Sequence, residues 1–290
     1  MWHSIGQLLA EHLGPGELRD RRELPGGEIH SAWYLRYGKH DVFIKSDSRE
    51  MLPKFRAEAE QLELLARSET VHVPKVYGVG SHRDTSFLLL QYIEFRPLDA
   101  HGAWRLGEQL ARLHQWSEQL LFGFDFDNDL STTPQPNAWR RRWSSFFAEQ
   151  RIGWQLQLAA EKGMSFGDID ALVTVAEQKL SGHQPPPSLL HGDLWSNNWG
   201  NSAGGVYLFD PACYWGDREC DLAMLPLYPE LPPQIYDGYQ NVWPLEKGFV
   251  ERQPIYQIYT LLNRANLFGG ECIAAAQQAI EAQLQAADMA

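Results

Sequence analysis

Two short runs carry the residue types best suited to chemistry: His191-Gly192-Asp193-Leu194-Trp195-Ser196-Asn197-Asn198, and Phe209-Asp210-Pro211 shortly after. An aspartate, an asparagine five residues on, and a second aspartate past the next apolar strand together offer two kinds of oxygen. A carboxylate can orient a hydroxyl and take its proton as that hydroxyl attacks phosphorus. The remaining oxygens can hold the Mg²⁺ that bridges nucleotide phosphates. On this reading Asp193 is the base, and Asn198 and Asp210 are metal ligands. Taken singly, each would serve as an ordinary loop or strand-end Asx residue. The ordered set in a strand–loop–strand frame favours phosphoryl transfer from ATP.

Such chemistry needs a cation on the phosphates, and Val42-Phe43-Ile44-Lys45 ends an apolar strand in a lysine. The next helix offers Glu58, Glu60 and Glu63 as partners for Lys45. At about 100° per residue, the apolar stripe of that helix runs through Phe55, Ala59, Leu62 and Leu65. Glu58 falls inside the stripe, Glu60 points away and Glu63 lies at its edge. A carboxylate on the buried face needs a partner, which selects Glu58 for Lys45. Gly26-Gly27-Glu28-Ile29-His30-Ser31 sits where a phosphate-covering loop would sit, without the full G-x-G-x-x-G pattern. Backbone amides at Gly26 and Gly27, or the Ser31 hydroxyl, can reach phosphate there; a plain turn is the competing reading. Backbone groups of Gln91, Tyr92 and Ile93 are candidates for adenine, and the sequence does not say which.

The elements that must position these residues follow from periodicity. Residues 2–13 read as an amphipathic helix. Strands over 17–24, 29–37 and 41–45 form an antiparallel meander, a helix spans about 50–67, and strands near 76–80 and 86–92 complete the part rich in strands. Beyond Tyr92–Pro97 the chain is mostly helical, over 99–119, 137–162, 168–181 and two segments near the end, with short strands at 188–190 and 206–209. The expected organisation is α+β and bilobal: a nucleotide-binding lobe at 1–92, a larger catalytic and acceptor-binding lobe at 93–290, and a ligand cleft between them. His114 lies on the apolar side of its helix and reads as a satisfied buried histidine. Trp195 packs the loop or forms a platform for the acceptor. Asp217, Glu219 and Asp221 read as braces, with Asp217 also able to face the acceptor.

A formal net charge of −12 argues against nucleic acid, whose phosphates need clustered Lys and Arg. Cys213, Cys220 and Cys272 form no close pair, so a reduced compartment is the simpler reading. With no leader-like N-terminus and no stretch near the roughly 20 apolar residues of a membrane span, a cytoplasmic enzyme is expected.

These residues resemble the fructosamine kinase (ketosamine-3-kinase) family of the aminoglycoside-phosphotransferase and choline-kinase-like group, closest to its bacterial members. The resemblance is carried by His191–Asn198 with its Leu194-Trp195 step, by Phe209-Asp210-Pro211-Ala212, and by Tyr214-Trp215-Gly216-Asp217-Arg218-Glu219 with Asp221-Leu222-Ala223. Leu24-Pro25-Gly26-Gly27-Glu28, Phe43-Ile44-Lys45 and Leu261-Leu262-Asn263-Arg264 add to it. The resemblance implies a protein-kinase-like fold, ATP and Mg²⁺, and phosphorylation of the 3-hydroxyl of ketosamines, small-molecule or on glycated protein amines. The product phosphate then eliminates and frees the amine. Bacterial members suit ribulosamine- or erythrulosamine-type adducts. No nucleic-acid or membrane partner is expected, and the protein is expected to be a monomer or weak homo-oligomer. Asn197 stands where the family usually has Gly, and Asn tolerates a left-handed backbone. Glu28 stands where several relatives carry Cys, so no redox switch is expected there. Two other readings compete: a kinase for an aminoglycoside- or choline-like alcohol, and a nucleotide-binding pseudokinase scaffold. The complete set of Lys45, Glu58, Asp193, Asn198 and Asp210 speaks against the scaffold.

Overall fold

A computed structural model describes residues 1–25, 30–228 and 231–288. The α+β expectation holds, and the chain divides into two compact units. The first comprises residues 1–102 together with 198–211; the second comprises 103–197 and 212–290. The first unit therefore runs beyond residue 92 and takes in a segment that the sequence reading assigned to the second lobe.

The first unit is built on a five-stranded antiparallel sheet: β1 (Leu18–Leu24), β2 (Ser31–Tyr37), β3 (His40–Ser48), β4 (Val76–His82) and β5 (Thr85–Gln91), in spatial order β1-β2-β3-β5-β4. Alternation dictates its faces. Leu35 and Tyr37 on β2, Val42 and Ile44 on β3, and Phe87 and Leu89 on β5 are buried against Ile5 and Leu9 of helix α1 (Trp2–Leu13). Leu88 and Leu90 of β5 lie on the opposite face, against Phe55, Ala59 and Leu62 of α2 (Leu52–Arg67). Burying both faces explains why β5 reads as a continuous apolar run rather than an alternating one.

In the second unit, α3 (Ala100–Gln115) is followed by the hairpin β6 (Asn128–Leu130) and β7 (Thr133–Gln135), and by α4 (Trp143–Phe147), a π-helical turn at Ala148–Gly153 and α5 (Trp154–Glu161). The helix expected from 137 therefore starts at Trp143 and is interrupted. Then come α6 (Ile169–Leu180), β8 (Ser188–Leu190) and, after the 198–211 segment, β11 (Tyr214–Gly216) paired antiparallel with β8. The helices α7 (Glu219–Met224), α8 (Gln234–Val242), α9 (Phe249–Phe268) and α10 (Glu271–Asp288) complete it. Helices α3 and α8 approach through glycine: a Cβ on Gly107 would lie 2.0 Å from the Ile235 carbonyl oxygen, and one on Gly238 2.0 Å from that of Trp104. No helix of the described residues is long and apolar enough to cross a membrane.

Candidate active site

In the first unit the cross-strand register places Ala32 opposite Lys45 and Ser31 opposite Ser46, so the Ser31 position lies one residue from the lysine's neighbour on β2. Gly26 and Gly27 lie outside the described residues. The Lys45 Nζ donates to Glu58 Oε1 at 2.8 Å and to the Asp210 carboxylate. Glu60 and Glu63 are exposed, as the helical phase requires. The lysine and Glu58 side chains are 13% and 16% exposed, while Asp210 is 46% exposed. Burial lowers the affinity of the Lys45 amine for its proton, but the Asp210 and Glu58 carboxylates outweigh it, and the net pKa shift is upward. Burial raises the Glu58 pKa, the Lys45 charge opposes that rise, and Asp210 adds to it.

A second hairpin brings Asp210 to this lysine. Strands β9 (Trp199–Ser202) and β10 (Gly205–Leu208) pair with Trp199 opposite Leu208, so Asn198 and Phe209-Asp210 leave the same open end. The Phe209 N–H donates to the Asn198 carbonyl at 3.0 Å, and Asn198 Nδ2 donates to the Asp210 carbonyl at 3.4 Å. The hairpin is anchored to its unit at three points. Leu208 N–H donates to the His72 carbonyl at 2.8 Å, Arg96 N–H to the Asn201 carbonyl at 2.7 Å, and Phe95 stacks on Phe209 with ring centroids 4.8 Å apart. A Cβ on Gly200 would meet Phe95 at 2.3 Å, so glycine is what permits that docking. Asp210 itself has φ +52°, a left-handed backbone rare for residues other than Gly, Asn and Asp.

Of Gln91, Tyr92 and Ile93, two backbone N–H groups are already engaged. The N–H of Gln91 donates to the Lys75 carbonyl at 2.8 Å, and that of Tyr92 to the Asp41 carbonyl at 3.1 Å. Ile93 is the residue of the three whose N–H donates to no acceptor among the described residues. Tyr92 is held from the side by Tyr34, with ring centroids 4.9 Å apart, and the Tyr34 hydroxyl donates to Asp41 at 2.5 Å.

Asp193 and Trp195 lie in the second unit, on the loop leaving β8. That loop is fixed by a residue outside it. The Asp221 carboxylate, on α7, accepts the N–H of His191 at 2.8 Å and of Gly192 at 2.9 Å, one on each oxygen. His114 bridges Asp221 at 3.2 Å and the Tyr239 hydroxyl at 2.9 Å, so it is buried and satisfied. Burial alone would raise the Asp221 pKa; the hydrogen bond and charge of His114 and the Gly192 N–H outweigh it, and the net shift is downward. Gly192 has φ +83°, and a Cβ there would meet the Ala212 carbonyl oxygen at 2.0 Å. The His191 carbonyl in turn accepts the Ala212 N–H at 2.9 Å. Asp193 N–H is directed to His191 Nδ1 at 3.3 Å, and Trp195 N–H to the Asp193 carbonyl at 3.2 Å. Bracing by Asp221 was foreseen in kind from the sequence; its two-pronged geometry was not, because 30 residues separate it from the N–H of His191.

Asp217 takes the bracing role expected of it. It is 1% exposed, and its carboxylate accepts from the Tyr256 hydroxyl at 2.5 Å, the Glu219 N–H at 3.1 Å and, on the Tyr256 oxygen, His183 Nε2 at 2.8 Å. Glu219 is likewise buried and taken by Arg252 through two bonds of 2.7 and 2.6 Å. The two carboxylates tie α9 to the start of α7 and the residues just before it.

A family model for fructosamine kinase matches residues 1–286. The chain belongs to the fructosamine kinase family. This makes it a phosphotransferase of the kinase type. It is 66% identical over 286 residues to the Escherichia coli (strain K12) protein named "Probable ketoamine kinase YniA", covering 99% of this chain and 100% of that one. A crystal structure of a "Putative fructosamine-3-kinase" from Haemophilus somnus 129PT superposes with a TM-score of 0.92 at 40% identity, over 98% of each chain. Choline kinase LicA from Streptococcus pneumoniae shares the fold at 17% identity, with a TM-score of 0.63 over 99% of each chain. The protein-kinase-like fold expected from the motifs is thereby shown.

Proposed function

We propose that this protein transfers the γ-phosphoryl group of ATP to the 3-hydroxyl of a ketosamine, with Asp193 as the base that takes the hydroxyl proton. The observation that carries the reading is the Lys45–Glu58–Asp210 cluster with Asn198 beside it, in a chain whose relatives bear ketoamine and fructosamine kinase names. Glu58 keeps the Lys45 ammonium in place and charged, ready for nucleotide phosphate. The Ile93 N–H is the adenine donor, and Ser31 with the Gly26-Gly27 segment serves the phosphates. Asn198 and Asp210 supply only oxygen donors on their side chains' acceptor atoms, which suits Mg²⁺, and both stand at one end of one hairpin. These two residues would hold Mg²⁺, which would supply charge neutralisation for the nucleotide phosphates. Asp221 holds the loop so that Asp193 is presented at a fixed position, and Trp195 packs against the acceptor.

The phosphate placed on C3 subsequently leaves and the amine is freed, which makes the overall outcome deglycation of small amines or proteins in the cytoplasm. Phosphorus NMR with ATP, Mg²⁺ and a panel of ribulosamine, fructosamine, an aminoglycoside and choline tests the reading. A new phosphate-ester signal with the ketosamines is expected. Turnover of choline or the aminoglycoside alone overturns it.

A further inference from the structure

The groups assigned above account for the nucleotide and the proton, and leave one cation beside the catalytic loop unused. Trp195, two residues past Asp193, packs against Tyr228 with ring centroids 6.1 Å apart and planes tilted by 34°. On α9, the Arg264 guanidinium lies over the same Tyr228 ring, 5.8 Å from its centroid. All three side chains are half-buried and belong to the second unit. Arg264 makes no hydrogen bond or ion pair among the described residues. Its situation contrasts with Arg252, twelve residues earlier on the same helix, which is tied to Glu219 through two hydrogen bonds. A half-buried guanidinium carries five N–H donors in a fixed fork and has lost part of its water, so it is best satisfied by an oxyanion. The Tyr228 ring contact consumes none of those donors.

We infer that Trp195, Tyr228 and Arg264 form an acceptor subsite that recognises an anionic ketosamine. The sugar-derived part packs on Trp195 next to Asp193, and an oxyanion elsewhere on the same molecule meets the Arg264 fork. The ligand class is a ketosamine with a carboxylate on its amine part, as in an adduct of a free amino acid, or with a phosphate on its sugar part. Both present paired oxygens to a guanidinium. Arg264 is thus a specificity-determining residue, and the inference rests on the ketosamine reading above.

The test compares wild type, Arg264→Gln and Arg264→Lys on three ribulosamines: an adduct of an amino acid with a free carboxylate, the same adduct as its neutral amide, and the neutral adduct bearing a sugar phosphate. The readout is the ratio of kcat/KM between anionic and neutral acceptors, which is internal to each variant and so insensitive to partial loss of folded protein. Wild type is expected to favour one anionic acceptor by about tenfold or more, the size of one charge-assisted contact. Arg264→Gln is expected to remove that preference and Arg264→Lys to keep part of it. Whichever anionic acceptor is preferred identifies the carboxylate or the phosphate as the source. A wild-type ratio near one, or a preference that survives in Arg264→Gln, overturns the inference while leaving the ketosamine reading intact. A raised KM for ATP with an unchanged ratio also overturns it, because the cation then serves the nucleotide. If wild type phosphorylates none of the three adducts, the ketosamine reading fails and takes this inference with it.

Discussion

Asp221 offers the sharpest test of how the loop bearing Asp193 is held. Its two oxygens accept the N–H of His191 and of Gly192, and His114 shares the first of them. Replacing Asp221 by Asn changes no volume but leaves one acceptor oxygen and introduces an NH₂. In either orientation that NH₂ confronts one of the two backbone N–H groups. A charge-assisted bond is worth about 1.5–3 kcal/mol, and a buried donor left without a partner costs about 1–3 kcal/mol. We therefore expect Asp221→Asn to lower unfolding free energy by about 3 kcal/mol at neutral pH. Urea unfolding followed by tryptophan fluorescence measures it. The pH dependence follows from the sign of the shift. The folded Asp221 pKa is below its ordinary value, so its contribution is complete above the unfolded carboxyl's titration and fades as pH falls through the folded value. The gap between wild type and Asp221→Asn should therefore narrow on acidification below the usual carboxylate range. Turnover should fall at least about tenfold, because the loop bearing Asp193 loses its anchor. A neutral-pH gap under about 1 kcal/mol, or one that stays constant into acid, refutes the bracing argument.

Asp193→Asn should retain ATP binding by calorimetry while turnover drops by about 10²–10⁴-fold, the usual scale of a positioned base; unchanged turnover excludes Asp193 as that base. Glu58→Gln leaves Lys45 with Asp210 as its single carboxylate partner, and kcat/KM for ATP should fall by about tenfold or more with the loss of one charged bond. A variant with wild-type steady-state kinetics would remove Glu58 from the nucleotide site. Gly238→Ala pits two effects against each other. Helix propensity gains about 1 kcal/mol, but the new Cβ lies 2.0 Å from the Trp104 carbonyl oxygen. The contact is with backbone, so the clash should win and thermal unfolding should shift down by several degrees; a raised Tm contradicts the close approach of α3 and α8.

Local pattern in the sequence determined much of this protein. Alternation placed Leu35, Val42 and Ile44 in the core, and helical phase singled out Glu58 over Glu60 and Glu63, because both depend only on which face of one element is buried. The order of Asp193, Asn198 and Asp210, with the Leu194-Trp195 step, was legible as a family signature. What lay beyond the sequence depends on contacts between residues far apart in the chain. Nothing in the run 198–211 signals that it packs with residues 1–102, since that follows from His72, Phe95 and Arg96 meeting the β9–β10 hairpin. Tyr256 and His183, which lie 39 residues after Asp217 and 34 before it, meet on its carboxylate, and no local pattern announces either. That the Ile93 N–H is left over after Lys75 and Asp41 claim the two preceding N–H groups is likewise a matter of distant partners. Periodicity reports a residue's own face; partners are assigned by the tertiary fold, which alone brings a distant donor to a given acceptor.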